Sequence, residues 1–188
     1  MKSDLNILSS IGMKIFSEKT EIFPSKSDIE TAGNITAELK AGGGVIAGFH
    51  PWTKRESRKW PEVNFILLGK KLVEAYGAKI ILTPGPKEEK SAELIAGKIG
   101  KNVRILKNTD VRMLAALMKD MDIYVCGSTG PMHAAIAVDI PVVGIIGTGD
   151  HFRWAPDNNK KVIVLKGKKC RYITVEEVFA GIKGLLNK

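Results

Sequence analysis

An α/β fold built on a parallel sheet of six strands is what the sequence predicts, and three observations predict it. Short apolar runs recur, each bounded by glycine, proline or polar turn residues. Between them lie segments whose apolar residues fall three and four apart. The two kinds of segment alternate along the chain. Alternation of this kind means strand–helix–strand units, which build a parallel sheet covered on both faces, a three-layer α/β/α domain. Right-handed crossovers and the most frequent arrangement of such chains give the strand order 3-2-1-4-5-6.

The first 25 or so residues lack a clean period and read as a lead-in, with a short helix over Leu5 to Ile11. Ser27-Asp28-Ile29-Glu30 has the pattern of a capping box, and Ile29, Ala32, Thr36 and Leu39 follow on one helical face. Ala41-Gly42-Gly43-Gly44 stops that helix. Val45 to Phe49 is the first strand. Pro61 opens a helix with Phe65, Leu68, Leu72 and Tyr76 inward, and Gly77 closes it. Ala78 to Leu82 is the second strand. A helix from about Glu88 carries Ala92, Ile95, Ala96 and Ile99, and ends at Gly100. Val103 to Leu106 is a brief third strand. Thr109 is expected to cap a helix with Val111, Leu114, Leu117 and Met118. Ile123 to Cys126 is the fourth strand, Met132 to Val138 a short helix, and Pro141 to Ile146 the fifth strand. Gly147 to Asp150 is a small-residue loop, where Asp150 reads as a turn residue, and His151 to Asn159 is irregular. Val162 to Leu165 is the sixth strand. A second capping box, Thr174-Val175-Glu176-Glu177, launches a last helix with Val178, Ile182, Leu185 and Leu186 inward.

Composition sets bounds. The chain has 188 residues, enough for one domain with a proper core, and an apolar share of 44%, ordinary for a soluble protein. No apolar run is long enough to span a bilayer, and the N-terminus lacks a signal-peptide pattern, so a cytoplasmic protein is expected. Cys126 and Cys170 form no metal pattern, and Cys126 falls in a buried strand, which argues against a disulfide. The net charge of +9 favours anionic partners: phosphorylated ligands, an acidic membrane surface or nucleic acid. Aromatic residues are only 6% and do not interleave with basic ones, so nucleic acid ranks below the others.

In such a sheet, ligands bind beyond the carboxyl ends of the strands, near the switch point between strands one and four. Two unusual loops leave those strands. His50 to Pro61 holds Lys54, Arg55, Arg58 and Lys59, with Trp52 and Trp60 read as packing residues. Gly127-Ser128-Thr129-Gly130 opens onto a helix with Pro131 in its first turn, and offers backbone N–H groups and a positive dipole end. Facing each other, the loops would suit a diphosphate. Each feature also has a plainer reading. Glycine occurs in many strand-to-helix turns, the four cations could be a solvated loop, and His133 alone reads as a structural histidine. Glu88 and Glu89 begin a helix, where the dipole favours carboxylates whatever the function. Neither the dinucleotide G-x-G-x-x-G turn nor the P-loop is present.

Gly127-Ser128-Thr129-Gly130-Pro131-Met132-His133-Ala134-Ala135, with Ile140-Pro141-Val142-Val143 and Gly147-Thr148 behind it, resembles family 9 glycosyltransferases, the lipopolysaccharide heptosyltransferases. His50 through Pro61 and the midway Gly85-Pro86-Lys87-Glu88-Glu89 fit the same pattern, in order. The resemblance implies one Rossmann-like half of a GT-B fold: residues 1–40 a lead-in and linker helix, residues 41–188 the nucleotide-sugar donor domain. It implies an inverting, metal-independent enzyme that needs no cofactor and takes a nucleotide-diphosphate sugar, ADP-linked, as donor. The acceptor, a lipid-linked glycan, and the general base would belong to an N-terminal domain outside this chain. The location implied is cytoplasmic, at the inner face of the inner membrane, with peripheral contact to acidic lipid and no nucleic-acid partner. By position, Arg58 and Lys54 would stabilise the leaving group. Thr53, Lys54, Arg58, Glu88, Glu89, Asn108, Ser128, Thr129, Gly130 and His133 would bind the donor, the glutamates at the ribose and the segment Leu106 to Asn108 near the base. Ser128 departs from the family's usual aspartate, which leaves the sugar open and admits an alternative: a non-catalytic nucleotide-sugar binding module that works with a separate acceptor domain.

Overall fold

A computed structural model describes residues 7–14, 16–17, 19–147, 161–166 and 169–187. Helices α1 (Lys26–Ala41), α2 (Glu62–Tyr76), α3 (Glu89–Ile99), α4 (Val111–Met118), α5 (Gly130–Ala137) and α6 (Val175–Leu186) alternate with strands β1 (Ile46–His50), β2 (Lys79–Leu82), β3 (Val103–Ile105), β4 (Ile123–Gly127), β5 (Val142–Ile146) and β6 (Val162–Lys166). The strands form one all-parallel sheet in the order β3-β2-β1-β4-β5-β6, the order expected. β1 and β4 are neighbours, with His50 beside Cys126, so the loops leaving them start side by side.

The strand residues sort by face. Ala47, Phe49, Ile80, Leu82, Val125 and Val143 pack with Phe65, Leu68 and Leu72 of α2, Ala92 and Ile95 of α3, and Val178, Ile182 and Leu185 of α6. Ile46, Ile81, Tyr124, Cys126 and Val142 pack with Ala32 of α1, Leu114, Leu117 and Met118 of α4, and Met132 and Ala135 of α5. β1, β4 and β5 are buried throughout, as strands covered on both faces must be. The fold is Rossmann-like α/β. Cys126 and Cys170 are both free and buried. No described helix is long and apolar enough to cross a membrane.

Several local expectations shift. The first capping box closes on Ser25, not Ser27: the Ser25 hydroxyl accepts from the Asp28 amide at 3.1 Å, and the Asp28 carboxylate takes the Ser25 amide at 2.8 Å. Aspartate at the third helical position does the work assigned to Glu30. Ile29 is then half-exposed, and α1 buries Ala32 and Thr36. Asp110 caps α4 in place of Thr109, because its carboxylate reaches the amides of Arg112 and Met113, each at 2.9 Å. Val111 is exposed as a result. α5 starts at Gly130, two residues early, with Pro131 second. Residues 7–10 are helical, while residues 5 and 6, like residues 148–159, lie outside those described. The second box, Thr174 with Glu177, forms as expected, and Gly77 closes α2 with φ of 59°.

Candidate functional site

Three connections meet beyond the carboxyl ends of β1, β2 and β4. The first, from β1 to α2, is pinned at both ends by tryptophan. Trp52 donates its indole N–H to Ser91 Oγ at 3.0 Å, and Trp60 donates to the Ile173 carbonyl at 2.7 Å while standing edge-on to Phe65. Both rings are core residues. Between them, Thr53 Oγ1 donates to the Arg55 carbonyl at 2.8 Å, and residues Glu56–Arg58 make a single 3₁₀ turn. Lys59 pairs with Glu62 at 3.1 Å. Among the described residues, Lys54 and Arg55 pair with no carboxylate.

The second connection is Gly127-Ser128-Thr129. Thr129 is the extended N-cap residue of α5, but its side chain does not cap the helix; its hydroxyl donates to the Gly127 carbonyl at 3.4 Å. Among the described residues no side chain caps this first turn, whose amides and positive dipole end suit an anion. The two connections touch. A Cβ placed on Gly127 would lie 2.9 Å from Thr53 Cγ2 and 3.9 Å from the Arg58 carbonyl oxygen. Only a residue without a side chain lets the cationic loop settle there.

The third connection runs from Thr83 to Glu88. Glu88 Oε2 accepts the Gly85 amide at 2.6 Å, which folds the carboxylate back over its own loop. His50, the last residue of β1, is bound to Thr83 through Nδ1 at 2.8 Å. Burial holds the His50 imidazole below its ordinary pKa, against the opposing pull of the Thr83 carbonyl and of Glu88. Burial likewise lowers His133.

These connections wall a cavity of about 550 Å³. Thr53, Lys54, Arg58, Glu88, Ser128, Thr129, Gly130 and His133, all singled out in the sequence, line it. Arg58 and Thr129 thus share one wall. Glu89 and Asn108 do not line it: Glu89 lies 3.7 Å from Lys107 Nζ, and Asn108 is exposed in a left-handed turn with φ of 53°. His50, Trp52, Arg55 and Pro131 line the cavity but were not among the candidate ligands. Their positions at a strand end and within the two motifs were the available signal. The wall carries three cations against one carboxylate, so it suits an anionic ligand with hydroxyl groups.

Known proteins share the sequence family and the fold. Residues 13–178 match the sequence model of glycosyltransferase family 9 (heptosyltransferase). Lipopolysaccharide heptosyltransferase 3 of Escherichia coli is 23% identical over 173 residues, covering 86% of this chain and 48% of that protein. The glycosyl transferase family 9 structure from Veillonella parvula superposes with a TM-score of 0.87 at 18% identity, over 97% of this chain and 58% of that one. Escherichia coli heptosyltransferase WaaC, solved with ADP-2-deoxy-2-fluoro heptose, gives a TM-score of 0.66 at 24% identity, over 81% and 47%. The chain spans about half the length of these relatives. A family match that runs from before α1 into α6, on a sheet of the same design, leaves one assignment: the chain belongs to glycosyltransferase family 9.

Proposed function

We propose that this chain is the donor-binding half of an inverting, metal-independent glycosyltransferase that takes a nucleotide-diphosphate sugar, ADP-linked, and acts in lipopolysaccharide or related glycan assembly. The observation that carries the reading is the convergence of Lys54, Arg55 and Arg58 with the uncapped start of α5 on one cavity. A diphosphate needs fixed N–H dipoles and mobile cations together, and this wall supplies both. Ligands of relatives support the same class, since WaaC was solved with an ADP-linked fluoro-heptose.

In this reading an acceptor hydroxyl, deprotonated by a carboxylate of a partner domain, attacks the anomeric carbon. The glycosidic C–O bond to the diphosphate breaks with inversion, and the nucleoside diphosphate leaves with the electron pair. Arg58 and Lys54 neutralise that leaving group, doing electrostatically what a metal ion does elsewhere. Thr53, Ser128, Thr129, Gly130 and His133 position the phosphate and sugar end. Glu88 accepts from the ribose; Glu89 and Asn108 belong to the rim beyond the cavity wall. The lipid-linked acceptor would be held by a domain that precedes this one in the whole enzyme, with residues 1–40 as the join. The chain's charge fits peripheral contact with the acidic inner face of the inner membrane.

Calorimetry with ADP tests the reading. Wild type should bind, and Arg58→Ala should lose about ten- to a hundredfold in affinity, the worth of a charge-assisted contact of about 1.5–3 kcal/mol. Absence of ADP binding, or indifference to Arg58→Ala, would remove the proposal. Ser128, which leaves that part of the wall without a carboxylate, favours a second reading as a non-catalytic nucleotide-sugar module. The two part on whether a supplied acceptor domain restores transfer.

A further inference from the structure

One polar group in the cavity wall is deeply buried and, among the described residues, only half satisfied. His50 is 8% exposed. Its Nδ1 lies 2.8 Å from the carbonyl oxygen of Thr83. A carbonyl can only accept, so Nδ1 carries the proton, and the neutral ring keeps Nε2 as a bare acceptor. The surroundings hold this tautomer. Thr83 Oγ1 donates to the Phe49 carbonyl at 3.3 Å and so accepts from the buried Tyr124 hydroxyl at 2.7 Å. Trp52 stands edge-on to the imidazole, with ring centroids 5.6 Å apart. No described residue donates to Nε2. A buried acceptor without a partner costs about 1–3 kcal/mol and is seldom left so.

Glu88 narrows what the partner is. It rises from the same connection that holds the imidazole and lines the same cavity. One carboxylate oxygen takes the Gly85 amide, and a carboxylate has further acceptor capacity to offer. A carboxylate and an unprotonated imidazole nitrogen are both acceptors. Such a pair repels phosphate and takes a group with hydrogens to give. Beside a diphosphate seat, that group is a carbohydrate hydroxyl.

We propose that His50 Nε2 accepts a hydrogen bond from a carbohydrate hydroxyl of the bound nucleotide, next to Glu88. This makes His50 a specificity residue of the cavity, and it rests on the nucleotide-sugar reading above. The hydroxyl belongs either to the ribose or to the transferred sugar, and the ligand series separates the two.

Calorimetry with ADP, 2′-deoxy-ADP, 3′-deoxy-ADP and ADP-glucose is run on wild type, His50→Asn and His50→Gln. Asparagine keeps a donor for the Thr83 carbonyl but has no atom at the Nε2 position; glutamine places an acceptor there. His50→Asn should weaken the ligand that carries the hydroxyl about tenfold and leave the analogue lacking it unchanged, with His50→Gln recovering part of the loss. A loss seen with ADP that vanishes for one deoxy analogue assigns the hydroxyl to the ribose. A loss confined to ADP-glucose assigns it to the transferred sugar. An equal loss for all four ligands, or none, overturns the proposal. If Arg58→Ala weakens ADP but His50→Asn changes nothing, the nucleotide reading stands and only the role of His50 falls. If wild type binds no ADP, both fall. Should His50→Asn fail to fold, long-range ¹H–¹⁵N spectra of the wild type decide. The Nε2 resonance must be that of an unprotonated nitrogen and must move on binding the hydroxyl-bearing ligand; a protonated or unmoved Nε2 overturns it.

Discussion

Gly127 owes its identity to a neighbour's methyl group. With Thr53 Cγ2 2.9 Å from where a Cβ would stand, Gly127→Ala must push the cationic loop outward or strain it. Overpacking of this kind costs about 1–3 kcal/mol. Gly127→Ala should therefore lower both the melting temperature and ADP affinity, the latter about tenfold. Thr53→Ser in the same background removes the methyl but keeps the hydroxyl, and should restore most of both. Failure of the double variant to recover in calorimetry and thermal melts would refute the steric account. The residue scale is also where the sequence leaves two neighbours undistinguished. Glu88 and Glu89 look equivalent on paper, yet the Gly85 amide draws Glu88 over the cavity while Lys107 draws Glu89 aside. Lys107 lies in the turn that follows β3, and nothing within the motif announces it.

At the scale of elements, caps and clamps set the frame. Thr174 and Glu177 satisfy each other's amides at the start of α6, whose Val178, Ile182 and Leu185 lie in the core. Thr174→Ala should cost about 1 kcal/mol, read from the urea midpoint. α1 is tied to the turn after α4 by Asp120, which accepts from Thr36 Oγ1 at 2.6 Å and from Lys40 Nζ at 2.5 Å. Burial works against the Asp120 carboxylate, but the hydrogen bonds from Lys40 and Thr36 and the Lys40 charge prevail and hold its pKa below the ordinary aspartate value. A depressed carboxylate contributes stability that is present above its unfolded pKa and lost as pH falls through the lower folded value. Asp120→Asn should thus be less stable at neutral pH and flatter through that acid window. Urea melts at a series of pH values check this, and an unchanged acid slope would count against the clamp. Boundaries of the elements were legible to within a residue or two, because apolar period and glycine stops are local. Cap identity was not, since Ser25 and Ser27, or Thr109 and Asp110, differ only in which oxygen meets which amide.

For the whole molecule, the donor-half reading proposed above predicts donor binding without a completed reaction. We expect no sustained sugar transfer when donor and acceptor are supplied to this chain alone, and recovery when a family 9 acceptor domain is added in trans. Radiolabel transfer measures both, and turnover by the isolated chain would contradict the division of labour. The charge of +9 should bring the protein down with anionic lipid vesicles at low salt and release it at high salt, as screened surface attraction requires.

The sequence by itself determined the alternation of strands and helices, their order in the sheet, and hence which two loops must open at the switch point. Those follow from periodicity and chain connectivity, which each segment carries within itself. Only the tertiary structure decided that Gly127 receives Thr53, that Thr83 fixes the tautomer of His50, and that Glu88 rather than Glu89 reaches the cavity. Such outcomes turn on contacts between residues far apart in the chain, where a shift of an ångström makes or breaks a hydrogen bond, and no local pattern encodes a distance that fine.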